Sequence, residues 1–294
     1  MNPYYEPSHR MPPAGSAAFL LGGALAAAAL ALAYVYAMWY LPFVYVNVLL
    51  CLFLGVGLGM TLAALARAGK LRSPRGVSAL AALVGALAVY LNWAIYLMLL
   101  ANAETVGKDT TTHFDASLLG QLLTDPLGMA RYMAALNETG SWSIKNTTPS
   151  GIWLALIWLA EAAIVIGGAC LLARDQATKP YSEVADEWAV IEKLPRSAAF
   201  VPDAEALRPA LESGHLQALT PYLPQVGPDQ YARLSLHKAP NDDNCQFLTL
   251  ENVTRTLDKK GNPTEAATPV VTHLALSPRA YAELKQRFGT SGAA

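Results

Sequence analysis

The stretch GIWLALIWLAEAAIVIGGACLLA, residues 151–173, decides the fold of this chain. Its residues are apolar or small except for Glu161, so it has no polar face that water would cover. The hydrocarbon core of a bilayer is about 30 Å thick and a helix rises about 1.5 Å per residue, so a crossing needs about 20 apolar residues. The stretch therefore predicts a transmembrane helix.

Three earlier stretches have the same apolar character and a similar length: residues 16–41, 43–66 and 77–101. The whole chain is 53% hydrophobic and only 15% charged, whereas soluble domains carry about 25% charged residues. The first stretch exceeds the roughly 7–15 apolar residues of a signal peptide, so we expect it to remain as an uncleaved span. The sequence thus predicts a membrane-embedded, all-α four-helix transmembrane bundle over residues 16–174.

Basic residues predict the orientation of the spans. The connection between the second and third spans carries four basic residues and no acidic one: Arg67, Lys70, Arg72 and Arg75. Lys and Arg beside a span are retained on the cytoplasmic side. We therefore expect the N-terminal tail 1–15 and the C-terminal region to be cytoplasmic, and the loop 102–150 to lie outside. Ala-rich spans and short connections favour a multi-pass plasma membrane protein of the bacterial cytoplasmic (inner) membrane.

Two polar residues inside the spans are candidate functional groups. Glu161 lies about ten positions into the fourth span, where an ionised carboxylate is costly. Asn92 lies at a similar depth in the third span, so the two side chains are predicted to form an intramembrane polar pair. Glu161 either belongs to an ion or proton pathway, or keeps its proton and donates a hydrogen bond to Asn92 or a backbone carbonyl. The second role is favoured, because transporters usually have several such groups or interrupted helices.

The second span carries small or polar residues at intervals of four, which places them on one face of a helix. They are Asn47, Cys51, Gly55, Gly59 and Ala63. Gly55 and Gly59 form a GxxxG motif, which lets two helix backbones approach closely. This pattern predicts a helix-packing ridge. Small-residue faces of this kind also permit a homo-oligomer, and four spans per chain could line a pore in one.

The loop 102–150 is predicted to contain a helix that begins at Asp125-Pro126. Asp can cap free backbone donors, and Pro is tolerated in the first helical turn. Leu127, Ala130 and Met133 then follow on one side of the helix. We expect this amphipathic helix to lie on the membrane or over the outer ends of the spans.

The region 180–290 carries charge at the density of a soluble domain, and its patterns change from helix to strand. Helices are predicted over 181–194 and 203–212, and again over 277–288 at the end. Alternating residues predict strands over 231–237, 245–257 and 269–276. The sequence therefore predicts a small cytoplasmic α+β domain built on an antiparallel three-stranded meander.

Catalytic motifs are missing from the sequence: it has no phosphate-binding glycine loop, no GxSxG and no HExxH. His237 and His273 are predicted on neighbouring strands, and a metal site with His215 or Asp242 is conceivable. Their spacing is not that of a metal motif, so we expect surface histidines and predict no cofactor, metal or catalytic residue. A net charge of −1 excludes a nucleic-acid binder, which needs a basic face.

Three classes of function remain. The first is a membrane-anchored interaction or regulatory protein whose cytoplasmic domain binds a protein partner, for example by strand addition at a sheet edge. The second is a small ion or proton channel or transporter component that uses Glu161 and Asn92. The third, a membrane enzyme acting on a lipid-soluble substrate, is least supported because no paired titratable groups are visible. The first class is favoured.

Overall fold

The computed structural model describes residues 3–41, 44–106, 109–140, 148–222, 227 and 229–289. The chain divides into two compact units. One unit is Ser8–Thr178, and the other combines Met1–Pro7 with Lys179–Ala294. The N-terminal residues therefore belong to the C-terminal unit, which the sequence alone did not indicate.

Four helices of the Ser8–Thr178 unit are long and apolar enough to cross a membrane. They are α1 (Pro13–Tyr40), α2 (Val44–Ala68), α3 (Pro74–Ala101) and α6 (Gly151–Thr178). Pro13 and Pro74 occupy first helical positions, where the missing N–H costs nothing. Ser73 caps α3 by accepting a hydrogen bond from the Gly76 N–H. Residues 42 and 43, where the first two predicted spans meet, lie outside the described residues.

The bundle core is formed by small and branched apolar residues, including Ala27, Leu58, Ala81 and Ala169. Helix α6 packs mainly on α2 and α3, and α1 packs on the same two helices. Positions 51, 55 and 59 of α2 contact positions 161, 164 and 168 of α6 in the same order. Helices α2 and α6 are therefore parallel.

The connection between α3 and α6 contains a two-stranded ribbon and two helices. The ribbon pairs β1 (Glu104–Val106) with β2 (Asp109–Thr111). It is followed by α4 (Ala116–Thr124) and by α5 (Pro126–Thr139), which begins where the sequence predicted a helix. Asp115 and Asp125 cap these helices by accepting backbone N–H bonds. Residues 141–147 of the predicted loop lie outside the described residues.

Helices α4 and α5 cover the ends of α1 and α3. Leu122 and Met129 are buried in a cluster with Val35, Ile95 and Met98. The Tyr90 hydroxyl contacts the carbonyl oxygens of Leu122 and Leu123 at 3.2 and 3.1 Å and donates its proton to this pair. The connection is thus packed on the bundle rather than a plain linker.

The second unit is a helix-poor domain with antiparallel sheets. Its main sheet has the order β5-β7-β8-β9, with β6 also paired to β7. The strands are β5 (Val190–Lys193), β6 (Ala198–Ala199), β7 (Gln230–Ala239), β8 (Asp242–Leu257) and β9 (Pro263–Ala275). The prediction of a three-stranded sheet was therefore incomplete: β7, β8 and β9 form the meander, and β5 and β6 extend it.

Helices cover one face of this sheet. They are α7 (Ala204–Glu212), a 3-10 helix (Leu216–Tyr222) and α8 (Pro278–Gly289). Leu211, Leu219, Leu284 and Phe288 pack there against leucines of β7 and β8. Asp203, the first residue of the helix predicted over 203–212, caps α7 by accepting a 2.9 Å hydrogen bond from the Ala206 N–H.

The helix predicted over 181–194 is wrong. This segment forms a small hairpin of β3 (Tyr181–Ser182) and β4 (Glu187–Trp188), followed by the strand β5. The hairpin is stabilised by an edge-to-face contact of Tyr181 and Trp188, with ring centroids 5.0 Å apart. The partner of β5 is β7, more than 40 residues later in the chain. A long-range pairing thus overrides the local helical pattern.

Candidate functional site

Glu161 lies on α6 where three helices of the bundle meet. Its backbone carbonyl accepts a hydrogen bond from the Cys51 thiol of α2, with Sγ and O 3.5 Å apart. Its carboxyl group lies within electrostatic range of that thiol and of the Tyr34 hydroxyl on α1. The structure therefore brings Tyr34, Cys51 and Glu161 together. Tyr34 was not among the predicted site residues, because a tyrosine in an apolar run gives no sign of its partner on another helix.

Asn92 lies on the α3 face that contacts α6. Seven residues before it on the same face, a Cβ on Gly85 would lie 3.1 Å from the Ile166 Cα. The Oδ1 atom of Asn92 is buried, and among the described residues it accepts no hydrogen bond. Glu161 therefore does not donate to this oxygen, although the two residues lie at neighbouring levels of the bundle. The next residue, Trp93, stacks edge to face on Trp158 with ring centroids 4.6 Å apart.

Asn47 is the third polar residue at this level. It lies one helical turn before Cys51 on the α2 face that contacts α6, and its Oδ1 is also buried without a partner in the described part of the chain. The ridge continues through Gly55 and Gly59, whose backbones touch α6. A Cβ on Gly55 would lie 2.8 Å from the Ile164 carbonyl oxygen, and one on Gly59 would lie 2.6 Å from the Gly168 carbonyl oxygen.

The resulting layer, here called the polar layer, consists of Tyr34, Asn47, Asn92 and Glu161. Each of the four long helices contributes one of its residues. The layer offers oxygen atoms, of which the two buried amide oxygens have no hydrogen-bond donor within the described residues. Oxygen-rich positions without donors are suited to a proton or a hard cation.

The C-terminal unit has two sheet edges of different character. On the β9 edge, residues 3–5 form an isolated antiparallel bridge: the Ala275 N–H donates to the Pro3 carbonyl at 2.7 Å, and the Tyr5 N–H donates to the His273 carbonyl at 2.9 Å. On the other edge, β5 has β7 as its strand partner on one side and no described strand on its outer side. The two edges therefore differ in how much of their backbone is already paired.

The two histidines considered as metal ligands are close together but are not on neighbouring strands. His237 on β7 and His273 on β9 lie on either side of β8, with ring centroids 4.7 Å apart. His237 is 5% exposed, so the expectation of a surface histidine was wrong for it. The Nε2 atom of His237 lies 3.0 Å from the Thr249 Oγ1. The same oxygen accepts a hydrogen bond from the backbone N–H of His273.

Burial lowers the pKa of His237 to about 4, and the neighbouring His273 adds to this effect because two imidazolium ions would repel each other. His215 follows α7, and the Asp242 carboxylate accepts a hydrogen bond from Ser182. Neither residue completes a ligand set with the histidine pair. Within the described ranges, no group of three or more His, Cys, Asp or Glu residues is arranged to hold a metal ion.

Comparison of the chain with protein-family models, curated proteins and solved structures found no match.

Proposed function

We propose that the chain is a multi-pass membrane protein whose C-terminal unit binds a cytoplasmic partner protein, giving it an interaction or regulatory role. Four apolar helices of 25–28 residues support the membrane assignment. Pro3–Tyr5 precede these helices and pair with β9, which follows them. This pairing supports an even number of crossings, with both chain ends on one side. The basic residues of the turn between α2 and α3 favour placing that turn, and with it both chain ends, on the cytoplasmic side of a bacterial inner membrane.

The observation that carries the proposal is the outer edge of β5. Val190 and Ile191 are 55% and 48% exposed, and the strand contains no proline. The Leu194 N–H donates to the Leu234 carbonyl on β7. Because successive residues of a strand point their N–H and C=O groups to opposite sides, Val190 and Glu192 also face β7, and Ile191 and Lys193 face outward. An unpaired edge of this kind is a template for another strand.

The opposite edge, by contrast, is protected. The Arg255 N–H of β8 donates to the Asp229 carbonyl, away from β9. Glu265 lies opposite Arg255, so its backbone N–H and C=O groups point away from β8. By the same alternation, the backbone groups of residues 263, 267 and 269 also point outward. Two of these are Pro263 and Pro269, which have no N–H, and residues 3–5 occupy the far end. Proline, irregular pairing and a covering segment are the usual means of protecting an edge.

The proposed occupant of the β5 edge is an extended segment of a partner protein. Val190 and Ile191 would pack against β-branched or aromatic side chains of an added strand. Lys193 is exposed beside them, whereas Glu192 is paired with Lys285 at 2.8 Å. In the part of the chain that the structure describes, Lys193 has no ion-pair partner, and its positive charge favours an acidic residue opposite it.

The experiment uses the full chain in native membranes, with an aliphatic photo-crosslinking amino acid in place of the exposed Val190, so that Lys193 keeps its charge. We expect a crosslink to an extended, acidic segment of another protein, identified by mass spectrometry. The variant Ile191→Pro removes an outward N–H while keeping the bonds of β5 to β7, and should reduce crosslinking at least tenfold. The matched control Ala267→Pro removes an outward N–H from the β9 edge and should leave crosslinking unchanged.

Two results would overturn the proposal. One is crosslinking at Val190 that persists in a folded Ile191→Pro variant, because strand addition requires the N–H of residue 191. The other is a crosslink to a second copy of this chain, which would assign the edge to self-association.

A further inference from the structure

We infer that the polar layer is a binding site for one monovalent cation, for which sodium is the probe, held by the Glu161 carboxylate and by the amide oxygens of Asn47 and Asn92. Tyr34 contributes a hydroxyl oxygen at the same level. This site lies in the other unit from the β5 edge and does not depend on partner binding there.

Helix registers place the three principal ligands within about one helical turn of one another. On α2 and α6, Cys51 lies beside Glu161, and Asn47 precedes Cys51 by four residues on the same face. On α3 and α6, the edge-to-face contact of Trp93 with Trp158 fixes the register of the two helices. Asn92 is next to Trp93, and Glu161 follows Trp158 by three residues. A turn of helix rises about 5.4 Å, so these groups belong to one layer.

The three residues also lie on helix faces that are turned toward one another. Asn47 lies on the ridge of Gly55 and Gly59, whose backbones touch α6. Asn92 lies on the face of Gly85, which also touches α6. On α6, Gly168 is the residue that Gly59 of α2 contacts. Glu161 lies seven residues, or about two helical turns, before Gly168, so it lies on the same face of α6. Both amide side chains are thus directed at the helix that carries the carboxyl group.

Charge balance selects the class of ligand. Within the four apolar stretches the sequence contains one ionisable carboxyl group and no Lys, Arg or His, so the spans supply no positive partner for an ionised Glu161. Two buried amide oxygens near it also have no donor among the described residues. A monovalent cation would supply the positive charge that an ionised Glu161 lacks and would bind the two amide oxygens, and it would leave the site neutral. A divalent cation would leave a net positive charge in an apolar surrounding and usually has more carboxylate ligands.

Occupation of the site is an exchange. With no cation bound, the Glu161 carboxyl group carries a proton, which replaces the missing positive charge. When the cation enters, the O–H bond breaks, the carboxylate oxygen binds the cation and one proton leaves to solvent. Charge is conserved within the site in both states.

Trp93 and Trp158 flank the layer and provide a built-in signal. The test measures tryptophan fluorescence and thermal stability of the full chain in lipid nanodiscs at constant ionic strength, as sodium chloride replaces choline chloride. We expect a saturable sodium-dependent change in both signals, with release of about one proton per chain in weakly buffered solution. Glu161→Gln should abolish the response, and Asn47→Leu or Asn92→Leu should weaken sodium binding at least tenfold.

The control Asp175→Asn makes the same chemical change at the end of the same helix, and should bind sodium like the native chain. The inference is overturned if the folded native protein gives no sodium response relative to choline, or if Glu161→Gln responds as the native protein does. A protein that responds to pH but gives the same signal in sodium and in choline would also overturn it, because the carboxyl group would then bind only a proton.

Discussion

His237 shows how burial changes the chemistry of a single residue. Its ring contacts His273 and Thr249 inside the sheet, and its Nδ1 is buried without a partner in the described part of the chain. The neutral form is therefore favoured, and the pKa falls from 6.5 to about 4. A residue placed in this way links the stability of the C-terminal unit to pH.

The sign of that linkage follows from the two pKa values. The unfolded chain takes up a proton near pH 6.5, whereas the folded chain does so only near pH 4. Stability is therefore greatest above pH 6.5 and falls as the pH drops toward 4, by up to about 3 kcal/mol. Thermal unfolding of His237→Gln from pH 7.5 to 4.5 should show a smaller decline than the native chain. His215→Gln, at an exposed histidine, should leave the decline unchanged, and equal declines in all three proteins would contradict the prediction.

At the scale of elements, the contact of α2 with α6 depends on glycine. The Gly59 backbone lies so close to α6 that a Cβ would meet the Gly168 carbonyl oxygen at 2.6 Å, and backbone atoms cannot move aside as a flexible side chain can. Such overpacking costs about 1–3 kcal/mol or more. Gly59→Ala should lower the thermal stability of the purified chain.

Two glycines of the same helices provide controls for that substitution. A Cβ on Gly57 would meet only the Leu30 side chain at 3.9 Å, and a Cβ on Gly167 would meet nothing within 4 Å. Gly57→Ala and Gly167→Ala should therefore be neutral or slightly stabilising, because alanine favours the helix by about 1 kcal/mol over glycine. A Gly59→Ala variant as stable as these two would show that the helices do not approach closely.

At the scale of the whole molecule, the proposed topology gives a labelling prediction. The three native cysteines are replaced by alanine, and single cysteines are introduced at Ser8, Ser117 and Lys260, which are all exposed. In spheroplasts, a membrane-impermeant maleimide should label the cysteine at 117 and should reach those at 8 and 260 only after permeabilisation. Different labelling of positions 8 and 260 would contradict a topology in which residues 3–5 and β9 lie on one side.

The sequence by itself determined the features that depend on local patterns. Four apolar runs predicted four long helices, because hydropathy over about 20 residues is a property of consecutive side chains. The cap at Asp125 predicted the start of α5, because a cap accepts hydrogen bonds from backbone N–H groups within its own helical turn. The strands β7, β8 and β9 alternate over enough residues to be recognised.

Only the tertiary structure decided what depends on residues distant in the chain. The segment 190–193 is a strand because β7 supplies its partner, and residues 3–5 join the sheet through two bonds to β9. The companions of Glu161 were likewise hidden, since Tyr34 and Cys51 belong to other helices and their faces meet only after packing. Local pattern predicts the long, regular elements, whereas long-range packing and pairing decide the short strand β5 and which side chains share a site.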